Sequence, residues 1–129
     1  MGRRCGIIKK RIGVEGGRKM PCGILAELDE FIAFARERFG KSLRRILVYG
    51  SYARGDYNES SDIDVMILVA LPEDQIRQAE NCIYDSAFEL ELKYGKVLSP
   101  VIKNETLFEY WSDTLPFYRN VRAEGVKVA

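Results

Sequence analysis

The chain has 129 residues, 47% hydrophobic and 30% charged, which is the size and balance of one globular domain, and its longest apolar runs fall far short of the roughly 20 residues of a bilayer-spanning helix. It contains no histidine, which excludes Ser-His and Cys-His nucleophile pairs, His-ligated zinc and imidazole as a general base. Its net charge of +1 conceals an asymmetry: residues 1–19 hold seven Lys or Arg and one Glu, net +6, so the remainder carries net −5.

The three cysteines, Cys5, Cys22 and Cys82, form no C-x-x-C pair, so neither a disulfide framework nor a zinc ribbon is indicated, and the expected setting is reducing and cytoplasmic. Residues 1–19 lack helical periodicity and contain Gly13, Gly16 and Gly17, which predicts a basic, flexible N-terminal arm ahead of a domain over residues 20–129. The arm also lacks the apolar core of a secretory signal. It reads either as an upstream extension, with Met20 as the natural start, or as a basic segment for nucleic acid or a protein partner.

Within the domain, Ile24, Leu25, Leu28, Phe31, Ile32, Ala35 and Phe39 recur at spacings of three and four and stop at Gly40, which predicts an amphipathic helix over 24–39. Two apolar strands follow, over 46–49 and 62–69, separated by a Gly-rich and charge-rich loop. Pro72 opens a long helix whose buried stripe is Ile76, Ile83, Ala87, Leu90 and Tyr94, ending at Gly95. A third strand over 96–102 contains Pro100, which cannot donate to a ladder and so calls for an edge position or a bulge. Asn104 caps a short helix through Trp111, and Pro116 starts a last helix ending at Glu124 before Gly125. The C-terminal aromatics Tyr110, Trp111, Phe117 and Tyr118 are expected to pack on the sheet, with a partner-facing role as the alternative. The order α-β-β-α-β-α-α gives an α/β (α+β) domain, a small mixed sheet flanked by helices.

The chemistry concentrates in residues 45–69. Asp62 and Asp64 are two apart on a strand, so their carboxylates leave the same face, about 7 Å apart at Cβ from two strand rises. Like charges so placed repel unless a cation sits between them, and a hard divalent ion, chiefly Mg²⁺, suits two carboxylates plus nucleotide phosphates. Gly50 permits a tight turn, Ser51 supplies a hydroxyl, and a short helix starting there would aim free N–H groups at an anion. Arg54 can add a charge-assisted contact to phosphate or serve as an exposed ion pair, and Gly55 serves loop geometry.

The run GSYARGDYNESSDID, with Gly50-Ser51, ten residues and then Asp62-Ile63-Asp64, resembles the signature of the DNA polymerase beta-like nucleotidyltransferase superfamily, in particular its minimal branch. In element order the resemblance covers residues from about 24 to 125. It implies transfer of a nucleoside monophosphate from an NTP, usually ATP, to a hydroxyl, with release of pyrophosphate. It also implies that Asp62 and Asp64 are catalytic and hold Mg²⁺, and that Gly50 and Ser51, with Arg54, bind the nucleotide. The departure is on the third strand, where active relatives commonly carry another carboxylate. Here Ser99 is the polar residue closest to that position, with Glu89 and Glu91 of the preceding helix as candidate substitutes.

Small stand-alone members resemble the antitoxins of two-gene modules, which transfer AMP to a tyrosine of a HEPN-domain toxin. That is the leading expectation, with the HEPN protein as partner. Two alternatives stay open: a degenerate, nucleotide-binding antitoxin that acts by docking, and an antibiotic nucleotidyltransferase, which generally needs a second domain or a dimer. A nucleic-acid polymerase ranks lower, as nothing outside the arm supplies a basic groove. Base specificity and homo-oligomerisation are left open.

Overall fold

The computed structural model describes residues 22–129, so the expected arm over 1–19 lies outside the described residues. The first helix, α1 (Cys22–Phe39), leads through a short 3-10 turn (Gly40–Ser42) to β1 (Leu43–Tyr49). A single helical turn, α2 (Ser51–Arg54), and a loop precede β2 (Ile63–Val69). The long α3 (Glu73–Tyr94) then crosses to β3 (Leu98–Asn104), and α4 (Glu105–Trp111), α5 (Pro116–Glu124) and the two-residue β4 (Val126–Lys127) complete the chain. Among the described residues, no helix is long and apolar enough to cross a membrane.

The strands form one mixed sheet in the order β3-β2-β1-β4. β1 is antiparallel to both β2 and β4, whereas β2 and β3 are parallel. A parallel pair needs a long crossover, and α3 supplies it. β3 is an edge strand, as Pro100 requires, and Pro100 stands in register with Val65 of β2.

Alternation along the central strands sorts two hydrophobic layers. Ile63, Val65, Ile67 and Val69 of β2, with Ile46 and Val48 of β1, face α1 and α3 in the larger core. All seven apolar positions predicted for α1 are buried, and so are Ile76, Ile83, Ala87 and Leu90 of α3, with Ala79 added and Tyr94 only half-buried. Met66 and Leu68 of β2 face the other way and pack with Leu47, Phe108 of α4 and Val121 of α5. With both faces covered, β2 reads as a continuous apolar run, the usual condition of a strand that has neighbours on both sides and helices on both faces. Asp64 shares the period-two face of Met66 and Leu68, so its carboxylate lies on the α4/α5 side.

Strand boundaries differ from the sequence expectation, and one strand is added; β2 starts at Ile63, so Asp62, expected on the strand, lies in the loop just before it. β1 starts at Leu43 because Arg45, which looks misplaced in a strand, reaches α4 and donates from Nε to Glu105 at 3.2 Å and from a terminal nitrogen to Glu109. β3 runs over 98–104 because Lys96 and Val97 are used outside the strand. The Lys96 ammonium donates to the Glu59 carbonyl at 3.1 Å, and the Val97 carbonyl accepts from Ile63 N–H at 2.8 Å. β4 was not expected. Val126 of β4 and Val128 just after it are buried, and Ile46 of β1 exchanges backbone hydrogen bonds of 2.9 Å with Val128 and Ala129. The aromatic expectation divides: Tyr118 packs edge-on against Phe108, while Tyr110 is 68% exposed and Phe117 is 45% exposed.

Candidate functional site

At the end of β1 the chain leaves the sheet through Gly50, whose φ of 76° and ψ of −151° suit glycine and few other residues. The close neighbour is Asp64: a β-carbon on Gly50 would lie 2.3 Å from Asp64 Oδ2. Strand register explains the approach, since Tyr49 pairs with Asp64 across β1 and β2. The Gly50 carbonyl then accepts from the Ala53 and Arg54 N–H groups at 3.1 and 3.0 Å, forming the turn of α2, and the Gly55 N–H closes it on Ser51 at 2.8 Å. Ser51 is half-buried at the start of this turn, beside Gly50. Tyr52 and Ala53 are buried and anchor the turn to the larger core.

The loop that delivers Asp62 is held by Asn58. Its side-chain oxygen accepts the Ser60 N–H at 2.7 Å, its own N–H donates to Ser61 Oγ at 2.9 Å, and its carbonyl accepts the Ser61 N–H at 3.1 Å. Asn and Ser make such local bonds readily, which fixes the chain just before β2. Asp62 is exposed, and Ser99 Oγ donates to its Oδ2 at 3.5 Å, the outer limit of a hydrogen bond. Asp64 is half-buried. Burial and the neighbouring Asp62 push its carboxyl above the ordinary carboxylate range, with Arg54 opposing the shift and Glu124 adding to it. Burial, followed by the Asp64 charge, also pushes the Tyr49 hydroxyl up to about 12.

Arg54 lies between two acids. Its Nε donates to Asp56 at 3.2 Å and a terminal nitrogen donates to Glu124 at 3.1 Å. The same Glu124 oxygen accepts the Gly50 N–H at 3.1 Å. Glu124 is the residue that sequence reasoning missed. It ends α5, one turn after the buried Val121, and its only local signal is an acid beside a helix-ending glycine. Nothing in the sequence couples it to a turn more than 70 residues earlier.

Of the residues singled out in the sequence, Gly50, Ser51, Arg54, Asp62 and Asp64 therefore gather at one end of the sheet, on the side of α5. The position opposite Asp64 on β3 is Ser99 by register, and among the described residues no group of three acidic, His or Cys side chains assembles that could hold a metal ion. Glu89 and Glu91 do not replace the missing acid. Glu89 is exposed, and Glu91 lies near Glu27 of α1, in the layer on the opposite face. Two carboxylates with hard oxygen donors, one of them titrating high beside the other, still fit a hard divalent cation whose remaining positions are filled by phosphate oxygens and water.

The chain is similar to several known proteins. Residues 28–113 match the family described as nucleotidyltransferase domain. A protein of Methanocaldococcus jannaschii named "Putative protein adenylyltransferase MJ0604" is 36% identical over 101 residues, which cover 76% of this chain and 90% of that protein. A second from the same organism, "Putative protein adenylyltransferase MJ0141", is 40% identical over 76 residues, 59% of this chain and 75% of that one. Among solved structures, a chain of a toxin–antitoxin complex with AMP-PNP superposes with a TM-score of 0.50 at 20% identity, covering 78% of this chain and 72% of that one. At that identity the likeness concerns the fold.

Proposed function

Because the chain belongs to the nucleotidyltransferase domain family, we propose that it transfers AMP from ATP to a hydroxyl of a partner protein, a tyrosine of a HEPN-type toxin, and thereby acts as an antitoxin. Nucleotidyl transfer is the activity of the family. The adenylyl group and the protein acceptor are supported by the names of the relatives, and the toxin partner by the toxin–antitoxin complexes that share the fold.

One observation carries the reading: the close approach of Gly50 to Asp64, which joins the Gly50-Ser51 turn and a carboxylate pair into one unit. In this proposal the Gly50 and Ser51 N–H groups and the Ser51 hydroxyl hold the β and γ phosphates, and Arg54 adds a charge-assisted contact. Asp62 and Asp64 would hold Mg²⁺, which when bound neutralises phosphate charge and favours departure of pyrophosphate. The acceptor oxygen bonds to the α-phosphorus, the bond from that phosphorus to the oxygen bridging to the β-phosphate breaks, pyrophosphate leaves and the hydroxyl proton is released. The residues contribute by position and charge: the buried Tyr52 and Ala53 fix the turn, and the Asn58 bonds fix the approach of Asp62.

Incubation with Mg²⁺, α-labelled ATP and a cognate HEPN protein should label that protein. Equal labelling by an Asp62→Ala, Asp64→Ala double variant would end the proposal. Ser99 favours a second reading, because it stands where a third carboxylate would complete the site. In that reading the protein blocks its toxin by docking and keeps nucleotide as a ligand only, so neutralisation should survive loss of both aspartates.

A further inference from the structure

One carboxylate oxygen, Oε1 of Glu124, accepts both the Gly50 N–H and the Arg54 guanidinium, each at 3.1 Å. A peptide N–H beside a guanidinium is the donor pair that recognises a phosphate oxygen, since both give directed bonds to a concentrated negative charge. Glu124 thus places an anion of the chain itself on two groups assigned above to the nucleotide.

Its setting makes that contact exchangeable. The side chain of Glu124 is 24% exposed, so water and ligand reach it, and Arg54 is 48% exposed. Glu124 also adds negative charge beside Asp64, which is already crowded by Asp62. Two donors therefore hold the carboxylate while a neighbouring acid repels it. Its backbone does not depend on the contact: the following Gly125 N–H is bonded to the Val121 carbonyl at 2.7 Å, and Val126 pairs with Val48 of β1. The side chain can swing away while α5 stays on the sheet.

We infer that Glu124 is an affinity-setting competitor for the phosphate donors: a nucleotide phosphate oxygen takes the Gly50 N–H and Arg54 only by displacing it. This rests on the proposed function, because it takes Gly50 and Arg54 as nucleotide-binding groups. Asp56 provides the contrast, since it pairs with Arg54 Nε at 3.2 Å and has no bond to Gly50. Removing the Asp56 charge alters the local field, whereas Glu124→Gln also weakens the acceptor on both donors, leaving a neutral carbonyl in place of a carboxylate, and Glu124→Ala releases them.

The test is Mg²⁺-ATP binding by calorimetry to the wild-type chain and to Glu124→Gln, Glu124→Ala and Asp56→Asn variants, with thermal unfolding to establish that each is folded. Glu124→Gln keeps the shape of the side chain, so it decides the matter if Glu124→Ala does not fold. Competition by a charge-assisted acceptor should tighten the Kd of the Glu124 variants by about tenfold, with a clearly smaller change for Asp56→Asn. An unchanged or weaker Kd in folded Glu124→Gln would overturn the inference and make Glu124 a positioning residue, leaving the functional reading intact. Equal tightening by Asp56→Asn would overturn it in favour of a general charge effect. Absence of Mg²⁺-ATP binding in every protein, wild type included, would remove the functional reading and the inference with it.

Discussion

Gly50 and Asp64 occupy adjoining space so closely that a β-carbon on the glycine would fall 2.3 Å from the carboxylate oxygen. Gly50→Ala therefore has two costs. An L side chain at φ 76°, ψ −151° is strained by about 1–3 kcal/mol, and Asp64 must move to make room. A shift of the carboxylate by about 1 Å is enough to reduce transfer roughly 10²-fold. The expected outcome is a folded protein with a lower unfolding temperature and a collapse in kcat. Wild-type activity in Gly50→Ala would show that the contact does not organise the site.

Asp64→Asn should separate stability from activity. Burial raises the Asp64 carboxyl first, Asp62 raises it further and Arg54 opposes the shift. The sign follows: an acid that titrates higher in the fold than in the unfolded chain favours the fold below its unfolded value, and that contribution is lost as pH rises through the folded value. At neutral pH the ionised Asp64 thus lowers stability, and the neutral amide should raise the unfolding temperature while abolishing transfer. Millimolar Mg²⁺ should stabilise the wild type and leave Asp64→Asn unchanged. The comparison is a set of melting curves at pH 4 and pH 7, with and without Mg²⁺, and equal Mg²⁺ shifts in both proteins would remove Asp64 from the metal site.

The contrast between Asp64 and Glu124 shows what a sequence of this kind discloses. Asp62 and Asp64 are legible because their spacing of two is that of alternate strand residues, although only Asp64 lies on β2 and Asp62 is brought beside it by the loop that Asn58 holds. The α1 stripe and the ends of α3 and α5 are legible for the same reason, since each depends on local periodicity or on a Pro or Gly stop. Glu124 depends on α5 lying over β1 so that its last turn meets Gly50, a long-range fact with no local pattern. The start of β1 is hidden because Arg45 is accommodated by long-range partners on α4, Glu105 and Glu109 with the Phe108 ring, and β4 because two residues after Gly125 carry no periodicity.

Glu27 predicts a pH dependence of stability independent of the site. It is fully buried on α1, and among the described residues neither carboxylate oxygen has a hydrogen-bond partner. Burial, followed by Glu91, raises its pKa from 4.5 to about 8, with Glu30 adding to the shift and Lys96 opposing it. Folded Glu27 therefore keeps its proton where the unfolded chain has lost it, so its contribution is complete below about 4.5 and declines as pH rises to about 8. Glu27→Gln has no proton to lose and should flatten the fall in unfolding temperature across that window. Parallel curves for wild type and variant would mean that the side chain is ionised in the fold.

Ser99 allows the incomplete carboxylate set to be tested by addition. It stands opposite Asp64 in the parallel ladder, and its hydroxyl reaches Asp62 at only 3.5 Å. Ser99→Ala removes a weak bond and should change transfer by no more than about threefold. Ser99→Asp places a third carboxylate on the same face, so without metal it should unfold at lower temperature through like-charge repulsion. With Mg²⁺ the order should reverse, because three carboxylates hold the cation better than two and its stabilising effect grows with affinity. If the acceptor hydroxyl lacks a base in the wild type, the new acid should also raise kcat, by about 10²-fold or more. A Ser99→Asp protein with a larger Mg²⁺ shift but an unchanged rate would show that two carboxylates already suffice for the chemistry. Loss of the Mg²⁺ shift would show that the edge strand does not face the cation.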